Sequence, residues 1–224
     1  MTVLATATAA MPSMLPQTLS IFPLSGVVLL PHARLPLNIF EPRYLAMVED
    51  ALGSGRLIGM VQPTGPQTPP TIPQPVYSTG CAGRITSFTE TDDGRFLIAL
   101  TGLCRFTIAN ERAADGAWRR VAPDWSAFLN DLAPPAEGVI DRLRLLQALQ
   151  PYFKEEGISL DRSVIENAPD DVLVSSLVMI CPLEPSEKQA LLEAADLPAR
   201  AELLTALLEM ACMPGGEGDG GVRH

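Results

Sequence analysis

The stretch Ile21–Tyr44, IFPLSGVVLLPHARLPLNIFEPRY, decides how the rest of the chain can fold. Its four prolines recur too often for a helix, because proline lacks an N–H donor and keeps the preceding residue extended. They are Pro23, Pro31, Pro36 and Pro42. The stretch therefore predicts short strands followed by a helix that begins at the last proline.

Two apolar runs within this stretch predict two strands. Val27–Leu30 is continuously apolar, as expected of a strand covered on both faces. In the second run Pro36 and Asn38 alternate with apolar residues, which are Leu35, Leu37 and Ile39. Because proline cannot donate to a ladder, Pro36 predicts a sheet edge or a bulge.

A short helix follows, with Pro42 at its first position and Gly53 just past its end. Helical spacing places an apolar set on one face: Tyr44, Met47, Val48, and Ala51 or Leu52. Leu57–Val61 predicts the next strand. Gln62–Pro75 contains six prolines in 14 residues and predicts a surface excursion.

The segment Thr79–Ile108 carries the strongest hairpin signal. Asp92-Asp93-Gly94 separates RITSF from RFLIAL, and Thr101-Gly102 predicts a second turn into LCRFTI, which gives three antiparallel strands. Trp118–Trp125 predicts one more strand. Five or six short strands with a single intervening helix favour a closed or nearly closed small barrel.

From Ala133 the hydrophobic period becomes helical. Apolar residues from Val139 to Phe153 recur at helical spacing, with Pro151 predicted to kink or end the run. Asp170 or Asp171 is predicted to cap a helix that ends near Cys181, Pro185 opens the next, and Asp196 caps the last. The second half is therefore predicted to hold about four helices.

These elements give an α+β fold, a small β-barrel followed by a helical bundle. The predicted organisation is a disordered tail over 1–18, the barrel over 19–130, the bundle over 131–212 and a second disordered tail over 213–224. The net charge is −10. Residues 1–130 carry nine arginines and nine carboxylates, whereas residues 131–224 carry seven basic and 17 acidic residues. An acidic surface repels phosphate, which argues against a nucleic-acid partner.

Several kinds of site are excluded by residue type. The lysines, Lys154 and Lys188, lie in no Gly-Lys-Ser/Thr motif, so no Walker site is present. With His32 and the terminal His224 as the histidines, there is no imidazole pair for catalysis or for a metal. Four cysteines without a C-x-x-C pair predict reduced, buried thiols and a cytoplasmic protein. We therefore expect no catalytic residue, metal or cofactor, and no membrane span, since no apolar run is long enough.

The opening from Phe22 to Tyr44, with its FPL and LPLNIFEPRY, resembles the start of the Lon N-terminal domain, the substrate-binding module of Lon proteases. Weaker resemblance continues through three further motifs: Gly83–Ile85, Asp93–Phe96 and Pro182–Glu193. The resemblance implies a PUA-like barrel, a helical bundle, and a role in binding unfolded or protease-substrate polypeptides, with a protease or chaperone as candidate partner. It also implies a free-standing module without the ATPase and protease domains.

The expected peptide-binding residues are Leu30, His32, Phe40 and Tyr44. They are expected to contact an apolar segment at the barrel–bundle junction, or beside a barrel edge open to strand addition. Glu41 and Arg43 have two interpretations, contacts to a peptide or a structural pair that ties the helix to the barrel. The alternative function is a nucleic-acid-binding PUA-like barrel, which the nine arginines of the first half keep open.

Overall fold

A computed structural model describes residues 15–65, 74–112, 117–134, 138–158 and 168–213. It divides into two compact units, Met1–Ala133 and Pro134–His224, named here the sheet unit and the helical unit. The α+β class predicted from the sequence is confirmed. Residues 1–14 and 214–224 of the predicted disordered tails (1–18 and 213–224), and most of the proline-rich excursion, lie outside the described residues.

The sheet unit holds six strands, one α-helix and one 3-10 helix among its described residues. The strands are β1 (Leu19–Pro23), β2 (Arg34–Ile39), β3 (Leu57–Val61), β4 (Thr79–Glu90), β5 (Phe96–Glu111) and β6 (Arg119–Asp124). The helices are α1 (Pro42–Gly53) and the 3-10 helix Ser126–Leu132.

The strands lie in the order β2-β5-β4-β3-β1-β6, and β6 also pairs with β5. Five strands therefore form a closed ring of pairings, and β2 lies at the edge, as Pro36 predicted. β1 and β3 are parallel, whereas the other pairs are antiparallel. The centre of the unit is apolar and contains Leu19, Ile21, Val61, Ala82, Phe106 and Val121.

The prediction of a strand over Val27–Leu30 is wrong. The strand lies earlier, at Leu19–Pro23, and Val28–Leu30 form a buried irregular segment. Backbone turns bound this segment, since Gly26 has φ +72° and His32 has φ +64°. The His32 N–H donates to the Gly102 carbonyl (3.0 Å) and the Ala33 N–H donates to the Leu30 carbonyl (3.1 Å). The apolar run predicted burial correctly, but the Ala33–Leu30 bond closes a turn, and the His32–Gly102 bond attaches that turn to β5.

The predicted turn at Thr101-Gly102 is also wrong, because β5 continues through it as one strand of 16 residues. A Cβ added at Gly102 would lie 1.9 Å from the Leu30 carbonyl oxygen. Glycine is needed there for the close approach of another backbone. The uninterrupted β5 pairs with β2, β4 and β6 and is the central strand of the unit.

The helical unit contains four helices within the described residues: α2 (Arg142–Glu155), α3 (Asp170–Ile180), α4 (Pro185–Glu193) and α5 (Leu197–Ala211). Pro151 lies inside α2 and does not end it. Asp196 caps α5 as predicted, accepting from the Ala199 N–H at 2.9 Å. The prediction that Asp170 or Asp171 caps α3 is wrong, because Pro169 holds the cap position. Both carboxylates lie in the first turn, where the positive end of the helix dipole stabilises negative charge.

Candidate functional site

The structure separates the four predicted peptide-binding residues. Leu30 is fully buried and Tyr44 is 7% exposed, whereas His32 is exposed and Phe40 is 62% exposed. His32 precedes β2 and Phe40 follows it, so they lie at opposite ends of a strand that spans roughly 20 Å at about 3.3 Å per residue. They do not form one site, and Phe40 is the apolar side chain of the four that faces solvent.

Tyr44 anchors α1 to β1. Its ring lies 4.3 Å from the Phe22 ring, and the Arg43 guanidinium lies 4.6 Å from the ring centroid of Tyr44. Burial raises the pKa of Tyr44 above its usual value of 10.0. Glu41 and Arg43 pair with each other at 2.8 Å, and both side chains are nearly half exposed. The Glu41–Arg43 ion pair joins two residues at the start of the helix and does not attach it to the sheet, whereas the Tyr44–Phe22 contact does.

Two further exposed apolar side chains lie at the end of the sheet where Phe40 follows β2. Phe88 on β4 is 39% exposed and Leu97 on β5 is 45% exposed. Leu97 is in register with Asn38 of β2 and with Thr89 of β4, and Phe96 is in register with Ile39, the residue before Phe40. The three side chains therefore lie at the same end of three neighbouring strands. By this register Phe88 shares a face with Phe96, whereas Leu97 lies on the opposite face, so the set surrounds the end of the sheet and does not occupy one face. We name the set Phe40, Phe88 and Leu97 the hairpin-end patch.

Phe88 is held by its neighbour across the hairpin, since its ring lies 4.9 Å from that of Phe96 in an edge-to-face arrangement. The sequence analysis missed Phe88 and Leu97. The period-2 alternation of the strand places Leu97 on the face opposite Phe96, and this pattern could have identified Leu97 as a candidate for exposure. Alternation did not show that the face is left uncovered.

The turn of this hairpin is acidic and ordered. The Thr91 hydroxyl donates to the Asp93 carboxylate, which also pairs with Arg95 at 2.9 Å. The hydrogen bond from Thr91, followed by the charge of Arg95, lowers the pKa of Asp93 below its usual value of 3.8. Gly94 takes φ +76°, a conformation that glycine adopts without strain. The turn therefore holds the Asp93 carboxylate in a fixed position at this end of the sheet.

The free edge of β2 is interrupted by Pro36. The Gly102 N–H donates to the Ala33 carbonyl at 2.9 Å, and hydrogen-bonded pairs recur at every second residue of an antiparallel ladder. The backbone N–H and C=O groups of Leu35 and Leu37 therefore point toward β5. The backbone nitrogen and C=O of Pro36 point toward the free edge. Because Pro36 has no N–H, a strand added there would lack its central donor.

Other features of the described residues carry little chemistry. A groove of about 240 Å³ is lined by Asp50 and Arg120, whose charges neutralise each other in an ion pair of 3.0 Å. Burial raises the pKa of Cys104 to about 12, so its thiol stays protonated. Across the ranges described, no group of three or more His, Cys, Asp or Glu could hold a metal ion. No described helix is both long and apolar enough to cross a membrane.

Comparison with known proteins gives a consistent match. The family model for the ATP-dependent protease La (LON) substrate-binding domain matches residues 18–210. A crystal structure of a Lon N-terminal domain protein from Xanthomonas campestris has a TM-score of 0.58 at 25% identity, covering 88% of this chain and 99% of that one. The N-terminal domain of the Mycobacterium avium complex Lon protease has a TM-score of 0.56 at 16% identity, with coverages of 85% and 97%, and so shows the fold alone.

Curated relatives are longer proteins. Lon protease 2 of Sorangium cellulosum is 26% identical over 192 residues, which are 84% of this chain and 24% of that protein. Lon protease 2 of Myxococcus xanthus is 27% identical over 198 residues, with shares of 87% and 24%. The chain thus spans about a quarter of the length of these relatives, and the match is to the substrate-binding domain and not to a catalytic one.

Proposed function

The chain belongs to the family of ATP-dependent protease La (LON) substrate-binding domains, and from that premise we propose that it binds polypeptide segments and catalyses no reaction itself. The bound segments are apolar stretches of unfolded or protease-substrate proteins. A separate protease or chaperone would act on what the chain holds. The proposal places it in the cytoplasm, where its four free cysteines would stay reduced.

The observation that carries this proposal is the hairpin-end patch. Three large apolar side chains, Phe40, Phe88 and Leu97, stay exposed at one end of neighbouring strands. Leaving such side chains in water is unfavourable, and exposed apolar clusters commonly mark protein-binding surfaces. An apolar segment of another chain that passes around this end of the sheet would cover them and gain that free energy.

Side-chain contact supports the proposal better than strand addition does. An added strand would rely on backbone hydrogen bonds along the free edge of β2. Pro36 removes the central donor from that edge, in the way that natural sheets protect their edges from pairing. Binding would therefore depend on the exposed side chains and tolerate varied sequences.

The nucleic-acid alternative gains nothing from the structure. Five of the nine arginines in residues 1–130 lie in ion pairs: Arg43, Arg95, Arg105, Arg119 and Arg120. Arginines held by carboxylates are less available to phosphate. The proposed occupant of the patch is accordingly a polypeptide.

The test is binding of fluorescein-labelled β-casein, an unfolded polypeptide, measured by anisotropy. We expect the double variant Phe40→Ser/Leu97→Ser to bind at least tenfold more weakly than the unsubstituted chain. Leu129→Ser is the matched control, because Leu129 is 46% exposed and lies on the 3-10 helix, away from the patch. Equal binding by the double variant, or no binding by the unsubstituted chain, would overturn the proposal.

A further inference from the structure

The rim of the hairpin-end patch carries an excess of negative charge. Segments 38–43 and 86–97, which contain the patch, hold four carboxylates and two guanidiniums, a net charge of −2. Both arginines are already paired, Arg43 with Glu41 at 2.8 Å and Arg95 with Asp93 at 2.9 Å. The excess therefore resides on Glu90 and Asp92.

Glu90 is positioned to act on a ligand seated against Phe88, and Asp92 follows it in the hairpin turn. Both are exposed, and no described residue forms an ion pair with either. Glu90 lies two residues after Phe88 on β4 and is in register with Phe96. Residues two apart on a strand share a face, so the Glu90 carboxylate lies on the same face as the Phe88 and Phe96 rings.

A ligand with a basic residue next to an apolar one would match both the exposed apolar side chain and the carboxylate beside it. Two strand residues span about 6.6 Å, within reach of a lysine or arginine on a segment seated against Phe88. The aliphatic stem of such a side chain covers apolar surface while its charge remains in water. Its cation would also be attracted to an exposed aromatic ring.

We infer that the patch selects apolar polypeptide segments flanked by lysine or arginine over segments flanked by acidic residues. This inference rests on the proposed function and adds the class of segment that the same surface prefers. Glu90 and Asp92 supply the preference, and Phe88, on the same face as Glu90, supplies the apolar contact beside it. An acidic flank would be repelled by the same two carboxylates.

The test uses three fluorescein-labelled peptides with one apolar core of six residues and two flanking residues at each end, all lysine, all serine or all glutamate. At 25 mM NaCl we expect the lysine-flanked peptide to bind about fivefold more tightly than the serine-flanked one, which is the size that one or two exposed charge pairs provide. The glutamate-flanked peptide should bind most weakly. At 300 mM NaCl the differences should shrink, because salt screens exposed charges.

The double variant Glu90→Gln/Asp92→Asn should lose the preference and bind the serine-flanked peptide as before. Glu49→Gln/Glu202→Gln is the matched control, since it makes the same change in net charge at exposed positions on α1 and α5. The control should keep the preference. Circular dichroism checks that both variants are folded.

The outcomes separate this inference from the proposed function. Equal binding of the three peptides would overturn the inference and leave the proposed function supported. A lysine preference that survives in Glu90→Gln/Asp92→Asn, or that disappears in the control, would also overturn it, because the attraction would then come from the charge of the whole chain. No binding of any peptide would overturn both.

Discussion

Gly102 shows how much a single residue position fixes in this chain. A Cβ there would lie 1.9 Å from the Leu30 carbonyl oxygen and 2.8 Å from the Leu30 carbonyl carbon. Both are backbone atoms, so neither can move as a flexible side chain would. The glycine lets the buried segment before β2 cross the central strand β5.

We therefore expect Gly102→Ala to lower the free energy of unfolding by about 3 kcal/mol or more, at the upper end of overpacking effects. Urea denaturation measures it. Gly53→Ala is the control, since no atom lies within 4 Å of the added Cβ at that helical position, and it should be neutral or slightly stabilising. If Gly102→Ala were as stable as Gly53→Ala, the close approach of the Leu30 backbone to β5 at Gly102 would be contradicted.

The thiols differ in burial, and their reactivity should follow it. Cys81, Cys104 and Cys181 are buried and Cys212 is partly exposed. At pH 8 we expect a chromogenic disulfide reagent to modify Cys212 in the native protein and the other three after denaturation. Cys212→Ser should abolish the native reaction. Rapid native modification of two or more thiols would show that the buried positions open readily.

The same thiols make stability depend on alkaline pH. Burial raises the pKa of Cys104 to about 12 and that of Cys181 to about 11, both above the usual value of 9.0. The folded protein then retains these protons while the unfolded chain loses them. The stabilisation is complete below pH 9 and is lost as the pH rises through the folded pKa values. Urea midpoints should fall between pH 9 and 11, and a Cys104→Ala/Cys181→Ala protein should show a shallower fall.

At the scale of elements, the 3-10 helix Ser126–Leu132 is attached to β5 by a buried ion pair. Arg105 and Asp131 have side chains 4% and 9% exposed and lie 2.8 Å apart. The Asp131 carboxylate also accepts from the backbone N–H and the Nε–H of Arg105, each at 2.9 Å. The Arg105 guanidinium lies 4.6 Å from the ring centroid of Phe128 on the same short helix.

Removing Asp131 takes away the carboxylate that neutralises the buried guanidinium of Arg105. We expect Asp131→Ala to lower the free energy of unfolding by about 3–5 kcal/mol. Glu209→Ala, which removes the partner of Arg144 in an exposed pair, should have a much smaller effect. Arg105→Met/Asp131→Leu should be more stable than Asp131→Ala, as thermal unfolding can show. Equal effects of Asp131→Ala and Glu209→Ala would mean that the buried pair does not hold the short helix.

Local signals predicted elements well and long-range contacts poorly. The proline at the start of α1, the alternation in β2 and the cap at Asp196 are encoded by neighbouring residues, and all three are present. The predictions of a strand at Val27–Leu30 and of a turn at Gly102 were both wrong for the same reason. Each depended on the crossing of two segments far apart in sequence, and a glycine fits a turn and a close approach equally well.

At the scale of the molecule, the sequence predicted an α+β chain with a sheet unit before a helical unit. It predicted one member of the hairpin-end patch, Phe40, and missed Phe88 and Leu97. Apolar character alone could not show that Leu30 and Tyr44 are buried while Leu97 is exposed, because burial depends on what the rest of the chain covers.

The central claim is that the hairpin-end patch contacts a bound polypeptide. Photocrosslinking tests it most directly, with benzoylphenylalanine placed at position 40, 88 or 129 and β-casein as the ligand. We predict casein adducts from positions 40 and 88 and none from position 129, where Leu129 is exposed on the 3-10 helix. Adducts of equal yield from all three positions, or from position 129 alone, would contradict the account.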